Sequence, residues 1–115
     1  GITIHGHPLR EYLEATNHAD AYRYITNFVE TRERITLETI LTLHGLVMDK
    51  LLTAKGQFRA VQVYIRGSNM TPPPAYQVAG LMREWVGWVY GEGRQYDPVV
   101  RAAIAHHGFE AVHAF

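Results

Sequence analysis

The sequence predicts a mainly α-helical domain that carries one β-hairpin. Apolar residues recur every three to four positions along most of the chain, which indicates amphipathic helices. Only residues 58–66 alternate with a period of two, which is typical of a short strand. Because a lone hairpin is marginally stable in water, we expect it to lie on helices with one edge exposed.

The length and charge of the chain limit the classes of function that it can have. The chain has 115 residues, enough for a single domain, predicted over 1–115, that needs no metal or disulfide. Equal numbers of basic and acidic residues, 11 each, argue against nucleic acid and anionic membranes as partners. No apolar run approaches the roughly 18 to 20 residues that cross a bilayer. The absence of Cys is typical of a reducing compartment and predicts a cytoplasmic protein.

The first part of the chain predicts helices. Residues 8–30 indicate one or two helices, with Pro8 in the first turn, where its missing N–H does no harm. Thr36 is predicted as the N-cap of a further helix. The apolar stripe of that helix continues to Leu51, and the helix is expected to end before Gly56.

The predicted strand lies in the middle of the chain. Val63 and Ile65 fall on one side and Tyr64 on the other, with Gly67 in the turn that follows. The return arm contains Pro72–Pro74, which cannot donate to a ladder, so it is predicted as an edge or a loop.

Two more helices follow the prolines. The first ends near Gly91, and the second begins with Asp97 as N-cap and Pro98 as its first residue. One face of this last helix carries the residues that we expect to point to the core, namely Val99, Ala102, Ala103, His106, Phe109 and His113. In all we expect about four or five helices.

The end of the chain resembles the start of the Fic family signature, His-x-x-Phe-x-x-Ile-His-Pro-Phe-x-Asp/Glu-Gly-Asn-Gly-Arg. Its register is matched by His106, Phe109, Val112, His113 and Phe115, whereas Ala114 replaces the usual Pro. Upstream, Gly56-Gln-Phe58-Arg59 and the predicted hairpin resemble the family's Gly-x-Phe-Arg element and its flap. Leu43-His44 and Asn17 with Tyr24-Ile25 also match in order and spacing.

The resemblance implies a Fic-like helical bundle that transfers AMP from ATP to a Ser, Thr or Tyr hydroxyl of a target protein. It implies His113 as the general base, a role that suits an imidazole. It also implies Mg²⁺, but the acidic ligand, the Gly-Asn-Gly turn and the Arg would lie beyond Phe115. We therefore expect a domain that lacks the end of the signature loop and the following helices.

The flap resemblance implies binding of the target by β-augmentation at Val63, Tyr64, Ile65 and Gly67. Family members are often inhibited by a helix with the pattern Ser/Thr-x-x-x-Glu-Gly/Asn, within the protein or on an antitoxin chain. Residues 26–31 match only part of this pattern, and we interpret them as a stretch of the first helix. The oligomeric state stays open, with a homodimer among the options.

Two alternatives remain from the residues themselves. His106, Glu110 and His113 are spaced i, i+4, i+7, so they offer a divalent-metal site if they share one side of a helix. Alternatively, an inactive Fic-like fragment would serve as a protein-interaction module through the flap edge. Among the individual residues, His44 and His106 are interpreted as core histidines and Arg59 as an anchor for the base of the hairpin.

Overall fold

The computed structural model describes residues 2–115, which form two compact units with the boundary after Gln57. The described residues contain four α-helices and a two-stranded sheet, so the prediction of a mainly α-helical fold is confirmed. In this part of the chain no helix combines the length and apolar character needed to cross a membrane.

The first unit opens with a small hairpin that the sequence reasoning missed. Strands β1, Thr3–Ile4, and β2, His7–Pro8, pair antiparallel. The two residues between them, His5 and Gly6, have φ angles of 51° and 82°. Positive φ at both positions is typical of a type I′ turn, which matches the twist of the strands that it joins.

Two helices complete the first unit: α1, Leu9–Glu30, and α2, Leu37–Val47. The structure confirms Thr36 as the N-cap of α2. Its side chain accepts from the N–H of Thr39, and the Thr39 hydroxyl accepts from the N–H of Thr36. This is a capping box with Thr in the place of the usual Glu or Gln.

The side chain of Asn17, on α1, is buried and closes the end of α2. Its Nδ2 donates to the carbonyl oxygens of Val47 and Asp49, at 3.0 and 2.8 Å. The last carbonyls of a helix have no partner within the helix, so a buried amide satisfies them where water is excluded.

The second unit contains α3, Val78–Tyr90, and α4, Pro98–Val112, with short 3-10 turns at Ala75–Gln77 and Glu92–Gln95. Its buried apolar side chains are those of Val78, Met82, Val89, Val112 and Ala114. The predicted start of α4 is confirmed, because the Asp97 carboxylate accepts from the N–H groups of Val99 and Val100 and Pro98 follows it.

Trp85 joins the two helices of this unit. Its Nε1 donates to the carbonyl oxygen of Ala105 at 2.8 Å, and its ring meets that of Phe109 edge to face at 5.4 Å. A Cβ on Gly108 would lie 3.4 Å from Cδ1 of Trp85, so the glycine leaves room for the indole.

The predicted strand over residues 58–66 is wrong, because the structure assigns no strand there. The physical reason lies in the return arm, where prolines have no N–H to donate to a ladder. Side chains hold the two arms instead. Gln62 Nε2 donates to the carbonyl oxygen of Pro72 at 3.0 Å, and the Arg59 guanidinium donates to that of Pro73.

The predicted buried face of α4 is displaced by one residue. The less exposed positions are Arg101, Ala105, Gly108, Phe109 and Val112, whereas His106 is exposed. One residue corresponds to about 100° of helical rotation. Phe109 borders both faces, which explains why the stripe could be assigned to either. His106 is therefore not the core histidine that the sequence suggested.

Candidate active site

His113 lies immediately after α4 as its C-cap. Its φ and ψ angles are 48° and 59°, in the left-handed region, and its N–H donates to the carbonyl oxygen of Glu110 at 3.1 Å. This conformation costs a residue other than glycine roughly 1–2 kcal/mol, so surrounding contacts must hold it. The side chain is half-buried, and its Nδ1 is buried with no hydrogen-bond partner among the described residues.

Arg59 supplies contacts that hold this residue. Its Nε donates to the carbonyl oxygen of His113, and its Nη2 donates to that of Val112 at 3.2 Å. The backbone N–H of Arg59 donates to the carbonyl oxygen of Ala114 at 2.8 Å. Arg59 therefore binds three consecutive carbonyls around His113, at a helix end where a cation is favoured.

The same guanidinium also binds the loop that leads away from Arg59. Nη1 donates to the carbonyl oxygen of Val61 at 2.8 Å, and Nη2 also donates to that of Pro73. Arg59 was predicted to anchor the base of a hairpin, but these carbonyl acceptors were not predicted. The prolines could have indicated these acceptors, because proline has no N–H but keeps a carbonyl that accepts a hydrogen bond from a nearby Arg or Gln.

The predicted flap residues lie on this loop. Gly67 has φ 77° in a turn closed by the Ser68 N–H and the carbonyl oxygen of Ile65, at 3.2 Å, as predicted from the turn residues. Tyr64 is 78% exposed, and Ile65 is also exposed, whereas Val63 is half-buried. Binding of a target at these residues stays a prediction.

Two aromatic pairs involve residues close in sequence to Arg59 and His113. Phe58, which precedes Arg59, and Phe115, two residues after His113, place their rings 5.7 Å apart. Phe109, one turn earlier on α4, packs against Trp85. These three aromatic motif residues therefore pack against other rings.

The structure separates the residues of the alternative metal site. His106 Nε2 and Glu110 Oε1 lie 3.0 Å apart as an exposed pair on α4, but His113 has left the helix. Within residues 2–115 no group of three His, Cys, Asp or Glu side chains is placed to hold a metal ion. The prediction of a divalent-metal site on these residues is therefore wrong for the described chain.

His44 has a structural role in the first unit, as predicted. Its Nδ1 accepts from the N–H of Gly56 at 2.9 Å, and burial lowers the pKa of the imidazole below its ordinary value of 6.5. Gly56 has φ 72°, and a Cβ there would lie 3.4 Å from the carbonyl oxygen of Leu41. The neutral imidazole thus fixes a turn that favours glycine.

We expect the free energy of unfolding to fall as the pH drops below about 6.5. Because the folded pKa of His44 lies below the unfolded one, the unfolded chain binds the proton more readily, and stability present above the unfolded pKa is lost on acidification. Urea titrations from about pH 7.5 down to about pH 5 will measure this. The control is His44→Asn, whose Oδ1 accepts from Gly56 at every pH in this range. Equal pH slopes for the two proteins would contradict the assignment.

The Fic/DOC family model matches residues 34–115, which is more than half of the chain. The chain belongs to the Fic/DOC family. Protein adenylyltransferase fic-1 of Caenorhabditis elegans is 30% identical over 119 residues, a match that covers 100% of this chain and 23% of that protein. Protein adenylyltransferase Fic of Drosophila grimshawi is 31% identical over 116 residues, covering 99% of this chain and 24% of that protein.

Solved structures of Fic proteins are also similar to this chain. The structure of Fic-1 from Caenorhabditis elegans matches with a TM-score of 0.84 and 28% identity, covering 100% of this chain and 34% of that one. A Fic family protein from Desulfovibrio desulfuricans G20 matches with a TM-score of 0.77 and 30% identity, covering 98% and 34%. The chain spans about a quarter of the length of the two curated relatives from Caenorhabditis elegans and Drosophila grimshawi, which are named as adenylyltransferases.

Proposed function

We propose that the protein transfers AMP from ATP to a hydroxyl group of a target protein, with His113 as general base. The observation that carries this is the setting of His113, a half-buried imidazole in a left-handed C-cap whose own and neighbouring carbonyls are bound by Arg59. A base acts efficiently only when it is held within hydrogen-bond reach of the proton it takes. The names of the relatives in the Fic/DOC family support the reaction class.

The target hydroxyl oxygen attacks the α-phosphorus of ATP, a new P–O bond forms, and the bond to the β-phosphate oxygen breaks to release pyrophosphate. The hydroxyl proton passes to His113. Because Nδ1 of this imidazole is buried, Nε2 is the nitrogen that we assign to the hydroxyl.

Mg²⁺ is usually held by one or two carboxylates together with substrate phosphates and waters. Among the described residues no group of three His, Cys, Asp or Glu side chains converges. The carboxylate closest in sequence to His113, that of Glu110, pairs instead with His106. We assign the binding of Mg²⁺ and of the polyphosphate to the whole protein. None of the described residues is given either role.

The loop between Arg59 and Pro73 is the proposed place for the target. Its exposed Tyr64 and Ile65 offer contact area, and its backbone has no strand partner among the described residues. An extended target segment could then pair with it through main-chain bonds. On the basis of the same family resemblance, we also propose that an inhibitory helix or an antitoxin chain controls the transfer activity.

The test uses the protein at its natural length, confirmed by intact mass, with Mg²⁺ and a cell lysate. In one arm the ATP is labelled at the α-phosphate, and in the other at the γ-phosphate. Transfer of the α label alone to a protein band supports AMP transfer. Transfer of the γ label would indicate phosphorylation, and transfer of neither would leave binding through the loop as the better-supported function.

A further inference from the structure

We infer that Arg59 is a positioning residue, which fixes the position of the His113 imidazole relative to the loop between Arg59 and Pro73. This inference rests on the proposed function, because it concerns how the proposed base is held. Its structural part is independent of activity, since the contacts themselves predict what happens to His113 when Arg59 is changed.

The carbonyls of Val112, His113 and Ala114 all accept hydrogen bonds from Arg59, two from its side chain and one from its N–H. Helix C-terminal carbonyls lack partners within the helix. Because His113 is in the unfavourable left-handed region, these bonds, together with that from its own N–H to the carbonyl oxygen of Glu110, oppose its return to an ordinary conformation.

The guanidinium that binds the carbonyl of His113 also binds those of Val61 and Pro73, so both ends of the loop are fixed to the same planar group. All three nitrogens of the Arg59 side chain are used. A lysine ammonium carries the same charge as a point, and it lacks the rigid fork needed to reach these acceptors together.

The family signature has Pro after the base, a residue that fixes its own φ, whereas this chain has Ala114. The rings of Phe58 and Phe115 pack against each other with centroids 5.7 Å apart, and a phenyl ring carries no hydrogen-bond donor for the carbonyl of His113. Orientation of the base therefore depends on Arg59 more strongly here than the signature alone would suggest.

The test compares Arg59→Lys with a matched control, Arg101→Lys. Arg101 also binds the end of a helix in the same unit, since it donates to the carbonyl oxygen of Val89 and lies over the ring of Tyr90 at 6.0 Å. Both changes keep the charge and remove an arginine fork from a helix end. We expect Arg59→Lys to lower kcat on the order of 10²-fold with little change in KM for ATP, and Arg101→Lys to leave kcat unchanged.

NMR provides the readout that does not depend on activity. We expect Arg59→Lys to shift the backbone resonances of His113 away from left-handed values, with Arg101→Lys leaving them in place. If Arg59→Lys does not fold, Arg59→Gln, which keeps an amide donor, takes its place in both measurements. Activity is expressed per folded molecule, so a loss of stability alone moves neither kcat nor the His113 resonances.

Three results would overturn the inference: an unchanged kcat in Arg59→Lys, an equal loss in Arg101→Lys, or unchanged His113 resonances in the Arg59 variants. If the wild-type protein transfers no α label, the proposed function fails by itself. The resonances of His113 then decide the structural part separately.

Discussion

Replacing His113 with Asn is expected to lower AMP transfer on the order of 10²- to 10⁴-fold, the range that a positioned general base contributes. The amide of Asn cannot take up the hydroxyl proton at neutral pH. Asn nevertheless tolerates the left-handed conformation that His113 adopts, so the change removes the base and preserves the C-cap. We expect the melting temperature to stay within a few degrees of the wild-type value.

The matched control is His106→Asn. His106 lies on the same helix, but it is exposed and paired with Glu110, so its loss should leave transfer unchanged. Transfer is measured with α-labelled ATP and unfolding by circular dichroism. Full activity in His113→Asn would show that His113 is not the base, and a large drop in its melting temperature would show that His113 has a packing role.

The largest loss of stability is expected for Gly93→Ala, about 1–3 kcal/mol, the usual cost of overpacking. Gly93 is buried in the short 3-10 turn after α3. A Cβ there would lie 2.8 Å from the carbonyl oxygen of Trp88 and 2.9 Å from its Cζ3. Neither neighbour yields easily, because one atom is backbone and the ring stacks on Tyr96 with centroids 6.1 Å apart.

Gly87→Ala provides the opposite control in the same part of the chain. Gly87 is exposed within α3, and a Cβ there meets nothing within 4 Å. Because alanine favours the helix, we expect a gain of about 0.5–1 kcal/mol. Urea unfolding of both variants gives the two free energies. A Gly93→Ala protein as stable as Gly87→Ala would contradict the packing described around Trp88.

Local signals explain what could be predicted from the sequence. The starts of α2 and α4 were correct because Thr36 and Asp97 accept hydrogen bonds from residues two or three positions away, and Pro98 suits the first helical position because it has no N–H. His113 was selected from its place in the family signature. Its left-handed backbone was not predicted, since that conformation depends on Arg59, which lies far away in the chain.

The errors arose where a pattern needed a distant partner to be interpreted. Alternation over residues 58–66 shows that the two sides of this segment differ in polarity. A strand also needs a neighbouring segment whose backbone both donates and accepts hydrogen bonds, and Pro72–Pro74 can only accept them. On α4 the burial depends on where Trp85 packs. The indole of Trp85 packs where Gly108 leaves space, and a glycine does not contribute to the apolar periodicity from which the buried face was predicted.

The separation in sequence between Arg59 and His113 has a consequence for folding. The cap of α2 joins residues 3 positions apart and the Trp85 bond joins residues 20 apart, whereas the Arg59 bond to His113 spans 54. The entropy lost on closing a loop increases with its length, so local contacts are favoured early and this one late. We therefore expect the helices to form before the proposed base reaches its working geometry.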